Sequence, residues 1–262
     1  MKKDLLETIF ASEKRKNVLL MLLEGPAEME TFLRSIKTTR QALLPQIRVL
    51  EESNLVRQKK DIYELTTIGK LIAEEMKPLI GTLGVFDSSM DYWGEREMGF
   101  IPPHLLLRLR EIGPCTVVSN IPPAESYSPS KQAVESGKRS KSQISVTTFL
   151  FPNFPSILAD FKQQGVKMCL VVSPELLEKM RQTRDDKYRG LLNSDTVDIF
   201  VYRGRMDFMA FGYNDFSFMM RMFTKTGEPD QKYVISSSPS ALEWGKELFN
   251  HYLKDAVPVT EI

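Results

Sequence analysis

The chain has little with which to cross-link itself. Its 262 residues include two cysteines and two histidines, too few for a disulfide framework or a cysteine–histidine metal cluster. Cys115 and Cys169 stand far apart in short apolar runs, Cys-Thr-Val-Val and Met-Cys-Leu-Val-Val, and read as small side chains packed in strands. Long apolar runs are missing too. No stretch approaches the ~20 residues that span a bilayer, and Met1-Lys2-Lys3-Asp4 does not lead into the apolar core of a secretory signal. These absences point away from the membrane and toward the cytoplasm. An excess of one charge is also lacking: 35 Lys and Arg against 34 Asp and Glu leave a net charge of +1. Overall charge therefore argues for no nucleic-acid partner, and only the placement of charges can.

The common catalytic signatures are absent as well. There is no Gly-x-Ser-x-Gly, no P-loop and no Gly-x-Gly-x-x-Gly. The acidic pairs Glu51-Glu52, Glu74-Glu75 and Asp185-Asp186 fall on polar or helical stretches and read as solvated carboxylates, since paired acids do chemistry only where their environments differ. The expectation is a protein without catalysis, cofactor or metal.

What remains is ordinary globular material, 42% hydrophobic and 26% charged, long enough for two modest domains. The pattern places a first domain at residues 1–78, a helical connector at 79–100 and a second domain at 101–262. A lead-in helix is expected at 3–10. Ser12 then precedes Glu13-Lys14-Arg15-Lys16 and an apolar stripe of Val18, Leu19, Leu20, Leu22 and Leu23, which is a helix start. Gly25-Pro26 ends that helix. A short helix at 28–35 follows, with Met29, Phe32, Leu33 and Ile36 at helical spacing. After the polar turn Ile36-Lys37-Thr38-Thr39, a third helix is predicted at 40–53, capped by Thr38 or Thr39, with Leu43, Leu44, Ile47 and Leu50 inward. Pro45 conflicts with it by removing a backbone donor. Residues 55–58 and 62–65 alternate like two strands around the charged tip Lys59-Lys60-Asp61. Thr66-Thr67 caps a last helix at 68–77, which Pro78 should stop.

Three helices, a hairpin and a further helix form the order of a winged helix-turn-helix. Between Arg34 and Lys60 lie seven basic residues and two acidic ones, a local excess of five in a nearly neutral chain. Phosphate neutralisation needs such a patch.

The segments Leu50-Glu51-Glu52-Ser53-Asn54-Leu55-Val56 and Tyr63-Glu64-Leu65-Thr66-Thr67-Ile68-Gly69 resemble the ArsR/MarR-like winged-helix regulators of archaea and bacteria. The resemblance implies that the helix at 40–53 enters the major groove of double-stranded DNA and that the hairpin touches its backbone. Thr39, Arg40, Gln41, Gln46 and Arg48 would then face DNA. Arg40 and Gln41 suit base reading, because arginine and glutamine make bidentate contacts to guanine and adenine. Arg57, Lys59 and Lys60 would hold phosphates without choosing sequence. A homodimer is expected, since one recognition helix reads too few bases, and the connector helix is one place for its contact. The same fold docks proteins in other families, which keeps a scaffold role open.

In the second domain, a helix at 104–110 ends at Gly113-Pro114. Strands are expected at 115–119, 144–151, 166–172, 197–202, 207–213, 216–223 and 233–236, with helices at 154–164, 174–182 and 240–253 and a polar stretch at 120–141. The fold class is therefore α+β, a winged helix-turn-helix followed by an α/β sandwich with a mixed sheet. Tyr92-Trp93, Ile101-Pro102-Pro103-His104-Leu105-Leu106 and Ala241-Leu242-Glu243-Trp244-Gly245-Lys246-Glu247-Leu248-Phe249 resemble the methanogenesis regulatory proteins of the filament type, found in methanogenic archaea. That resemblance implies a regulator and names no ligand. The strand-helix-strand core and the Trp-Gly-x-x-Leu-Phe ending are also similar to half of a phospholipase D-like fold. Active members carry His-x-Lys-x-x-x-x-Asp, yet His104 precedes Leu105-Leu106 and His251 precedes Tyr252-Leu253, so a sensor without hydrolysis is implied. A hydrolase with an unrecognised site stands third, behind the regulator and the scaffold. A small anionic effector could sit on Arg203 and Arg205 between Tyr202 and Tyr213; the plainer alternative pairs those arginines with Asp207 or Asp215. Lys138-Arg139-Ser140-Lys141 reads as a basic loop.

Overall fold

A computed structural model describes residues 4–87, 89–119, 128–182, 190 and 194–260. The acidic pair Asp185-Asp186 and the first part of the polar stretch, 120–127, lie outside the described residues. The chain divides into two compact units, Met1–Gly81 and Thr82–Ile262.

The first unit runs α1 (Leu5–Phe10), α2 (Glu13–Leu23), β1 (Ala27–Glu28), α3 (Met29–Ile36), α4 (Arg40–Glu52), β2 (Val56–Lys59), β3 (Ile62–Leu65) and most of α5 (Thr67–Phe86), whose residues from Thr82 on count with the second unit. The three strands form an antiparallel sheet in the order β1-β3-β2. Val18, Leu19, Phe32, Leu43, Ile47, Leu50 and Leu55 are fully buried in one core. On α4 the buried positions 43, 47 and 50 follow helical spacing. Two corrections concern proline. Pro45 lies inside α4 and Pro78 inside α5, and both helices run through. The carbonyls they leave without an intrahelical donor belong to Gln41 and Glu74, both exposed residues that water can reach. Pro78 therefore does not stop the helix. The short strand β1 was also not foreseen.

The turns around α4 are tight for identifiable reasons. Lys37 ends α3 in the left-handed conformation, φ 54° and ψ 53°, and the N–H of Thr38 reaches back to the Leu33 carbonyl at 3.2 Å. Asn54 repeats the device after α4, with φ 58° and Leu55 N–H donating to the Leu50 carbonyl at 2.9 Å. Gly69 lies so close to this second turn that a Cβ there would sit 1.9 Å from the Leu55 carbonyl oxygen. Thr66 fastens the same spot: its hydroxyl donates to the Asn54 carbonyl at 2.6 Å and accepts from Gly69 N–H at 3.0 Å.

The second unit contains α6 (Met90–Gly94), α7 (Pro103–Leu106), a 3-10 turn (Leu109–Ile112), β4 (Thr116–Val118), α8 (Lys131–Lys138), β5 (Ser142–Thr147), α9 (Phe154–Gln163), β6 (Lys167–Val172), α10 (Pro174–Gln182), β7 (Val197–Tyr202), β8 (Phe208–Asn214), β9 (Phe218–Met222), β10 (Tyr233–Ser236), α11 (Pro239–Leu253) and β11 (Ala256–Pro258). The eight-stranded sheet has the order β11-β7-β6-β5-β8-β9-β10-β4. Among the described strands, β5–β6 and β6–β7 pair in parallel and the others antiparallel, so the sheet is mixed.

One sheet face packs under α11, where Trp244, Leu248, Phe211, Phe218 and Val234 are buried. Trp244 is satisfied there by donating its indole N–H to the Leu105 carbonyl at 3.0 Å, and the Tyr252 hydroxyl donates to the Phe100 carbonyl at 2.8 Å. The other face packs under α9 and α10 against Met168, Leu170, Ile199 and Val201. This is the α/β sandwich expected. The differences are local. The helix at 104–110 breaks into α7 and the 3-10 turn. The strand at 144–151 shifts to Ser142–Thr147, and the polar stretch holds α8, in which Lys138 ion-pairs with Glu135 and Asp160 at 3.4 and 3.0 Å.

Candidate functional site

At about 100° per residue, the buried positions of α4 leave Gln41, Pro45 and Arg48 on the opposite side. Gln41 and Arg48 are seven residues apart and so nearly in line along the helix. All three are exposed, as is Ala42 beside them. Arg40 is exposed at the first turn, 3.9 Å from Glu30, too loose a surface pair to hold it. Gln46 lies at the edge of the buried stripe and is only partly exposed. Thr39 caps the helix, its hydroxyl accepting from Ala42 N–H at 3.4 Å. The face offered to the outside thus holds two hydrogen-bonding side chains from the sequence reading, Gln41 and Arg48. It adds two apolar residues that reading passed over, Ala42 and Pro45.

In the β2–β3 hairpin, Arg57 and Lys59 point to one side and share one acceptor. Glu64 Oε1 lies 2.7 Å from Arg57 Nε and 3.0 Å from Lys59 Nζ. The Lys59 and Arg57 hydrogen bonds hold the Glu64 carboxyl below its usual range. Lys60 occupies the tip with φ 58° and is exposed. Arg34 and Lys37 are exposed as well.

The four residues considered for an anionic effector are not gathered around one space. Tyr202 ends β7 and its ring packs 5.0 Å from Tyr252, while Tyr213 lies on β8 and packs 6.2 Å from Phe249. Three strand steps separate β7 from β8, roughly 14 Å across the sheet. Arg205 is 86% exposed and pairs with Asp207 at 2.6 Å, and Arg203 is exposed. Of the two arginines, Arg205 makes the ion pair of the plainer alternative, with Asp207, and no ion pair is seen for Arg203 among the described residues. Cys115 and Cys169 are free and half-buried; burial raises both thiols, Cys169 to about 11. Among the described residues no group of acidic, histidine or cysteine side chains could hold a metal, and no helix is long and apolar enough to cross a membrane.

An outward-facing third helix, a tight left-handed turn before it and a charged hairpin after it define a winged helix-turn-helix, here followed by an α/β sandwich. Residues 3–84 match the N-terminal domain, and residues 126–255 the middle domain, of the methanogenesis regulatory protein FilR1. The chain belongs to that regulatory family. A curated relative, the methanogenesis regulatory protein FilR1 of Methanothrix harundinacea (strain 6Ac), is 21% identical over 261 residues. That match covers 93% of this chain and 56% of the relative, so the chain spans about half the length of the protein it matches. Among solved structures, the archaeal chromatin protein TrmBL2 aligns with a TM-score of 0.44 at 15% identity, covering 92% of each chain. Nuc of Salmonella typhimurium, a phospholipase D family member, aligns with a TM-score of 0.38 at 15% identity, over 55% of this chain and 98% of its own. Neither likeness is close enough to assign a ligand.

Proposed function

We propose that this chain is an archaeal DNA-binding transcriptional regulator that acts in the cytoplasm as a homodimer, without catalysis of its own. The observation that carries the reading is the outer face of α4, where Gln41 and Arg48 stand in line on a rigid helix. Gln41 and Arg40 read adenine and guanine edges in the major groove of double-stranded DNA, and Ala42 suits a thymine methyl group. Arg57, Lys59 and Lys60 hold the phosphates beside the groove. A dimer presents two such helices to half-sites about 34–36 Å apart. The second unit acts as the sensing or partner-binding part.

The test is duplex binding by the purified chain, using the DNA upstream of its own coding sequence across a salt series. Binding that survives random competitor DNA and weakens with salt supports the regulator. Binding no better than to a random duplex moves the weight to a protein partner for the winged unit.

A further inference from the structure

The sheet face under α9 is covered unevenly. Over β6 and β7, α9 and α10 press large side chains onto Met168, Leu170 and Ile199. Over β5 and β8 the floor is small: Ser145, Thr147, Ala210 and Gly212. No side chain can fill position 212, because a Cβ there would lie 2.5 Å from the Ile144 carbonyl oxygen. A cavity of about 100 Å³ remains, walled by Phe149, Phe151 and Phe154 and by Ala133 of α8. Apolar cavities of about 150 Å³ in other proteins stay dry and take up benzene.

Arg221 lies just beyond one end of this space, next to three residues that line it, Phe151, Ala210 and Met219. It lies on β9 directly opposite Ala210 in the sheet register and is 2% exposed. Its guanidinium carbon sits 5.1 Å from the ring centre of Phe151, a cavity wall, and 5.0 Å from that of Tyr233. Its Nε has no hydrogen-bond partner, and Nη2 makes one long contact, 3.5 Å to the Ser128 carbonyl. Among the described residues no carboxylate lies within ion-pair distance of it, and Asp230 attracts it only from farther off. The contrast is Arg96, equally buried but paired with Asp230. Arginine stays charged when desolvated, and a buried charge without a partner is strongly unfavourable. Two aromatic rings and the more distant Asp230 carboxylate offset part of that cost; an anion in contact would offset more.

We infer that this cavity binds a small amphipathic anion, a carboxylate carried on one ring or a short alkyl chain, with Arg221 as its charge partner. The site does not depend on DNA binding. Arg221 takes the carboxylate, the phenylalanine rings take the apolar part, and Ser145 offers a hydroxyl from the floor. The cavity is too small for a lipid and too apolar for free sulfate or phosphate.

Calorimetric titration of the full chain with phenylacetate, its neutral analogue phenylacetamide, and acetate tests this. Phenylacetate should bind roughly 10- to 100-fold more tightly than phenylacetamide, the range for a hydrogen bond to a charged group, and acetate far more weakly than either. Arg221→Met should abolish the preference for carboxylate over amide while leaving the amide's affinity unchanged. Ser145→Leu should fill the floor and remove both ligands with Arg221 intact, which keeps the test decisive if the arginine variant does not fold. Equal binding of amide and carboxylate by the unaltered chain overturns the assignment. So does a carboxylate preference that survives Arg221→Met, or no binding of phenylacetate, benzoate or hexanoate.

Discussion

Arg57 and Glu64 face each other across the wing in direct register, with Arg57 Nε 2.7 Å from Glu64 Oε1. Lys59 shares the same oxygen at 3.0 Å. One carboxylate thereby orders two cations and offsets part of their charge. If the wing holds phosphates, Glu64→Gln frees both. The log–log slope of DNA affinity against salt should then steepen by about one to two, with tighter binding at low salt. An unchanged slope would show that neither cation meets a phosphate.

Arg40→Ala and Gln41→Ala should each cost about 1–3 kcal/mol on the specific duplex and little on a random one. Lys59→Ala with Lys60→Ala should instead weaken all duplexes alike. Competition titrations separate the two patterns, and specific binding untouched by either α4 change would mean the wrong helix has been assigned to the groove.

Gly69→Ala should destabilise the first unit by at least about 1–3 kcal/mol, the usual cost of overpacking. The added carbon meets the Leu55 backbone at 1.9 Å, not the end of a flexible side chain. A melting temperature equal to that of the unaltered chain would contradict this close approach.

Alkali should destabilise the second unit. Burial pushes the Cys169 thiol up to about 11 and the Tyr213 phenol up to about 12, and it raises Cys115, Tyr92 and Tyr252 too. The unfolded chain loses these protons first, near pH 8.5 for a thiol and 10 for a phenol. The folded state therefore binds more protons above those values, and stability falls as pH rises. Urea midpoints should be level from about pH 7 to 8 and decline from about 9 to 11; a flat profile through pH 11 would mean these groups are solvated.

Much of this architecture could be read from residue order. Leu43, Ile47 and Leu50 announce α4 by their spacing, and Pro174 and Val197 open elements at the positions expected. What escaped has physical causes. Two residues, Ala27 and Glu28, are too few to show a strand's alternation. In α8, Ser136 and Gly137 look like loop residues but are small because the helix lies tightly on its neighbours; a Cβ at Gly137 would meet Phe161 at 2.7 Å. Pro78 looked like a stop because sequence cannot show that the carbonyl it frees is solvated. The candidate sites divide the same way. Arg40, Gln41 and Arg48 stand out as polar residues on an apolar-faced helix. Arg221, in Met219-Met220-Arg221-Met222, looks like the solvent side of an alternating strand. Only the tertiary packing of Phe151 and Tyr233 makes it a buried cation.

Lys37 holds a backbone conformation that glycine adopts freely and that costs other residues about 1–2 kcal/mol. Random drift toward a more stable fold would therefore favour glycine at position 37, at the loss of one positive charge beside α4. That opposition makes the position a marker for sorting relatives. If the winged unit binds DNA as proposed, homologues that keep lysine or arginine there should show salt-dependent duplex binding, and those with glycine should show less of it.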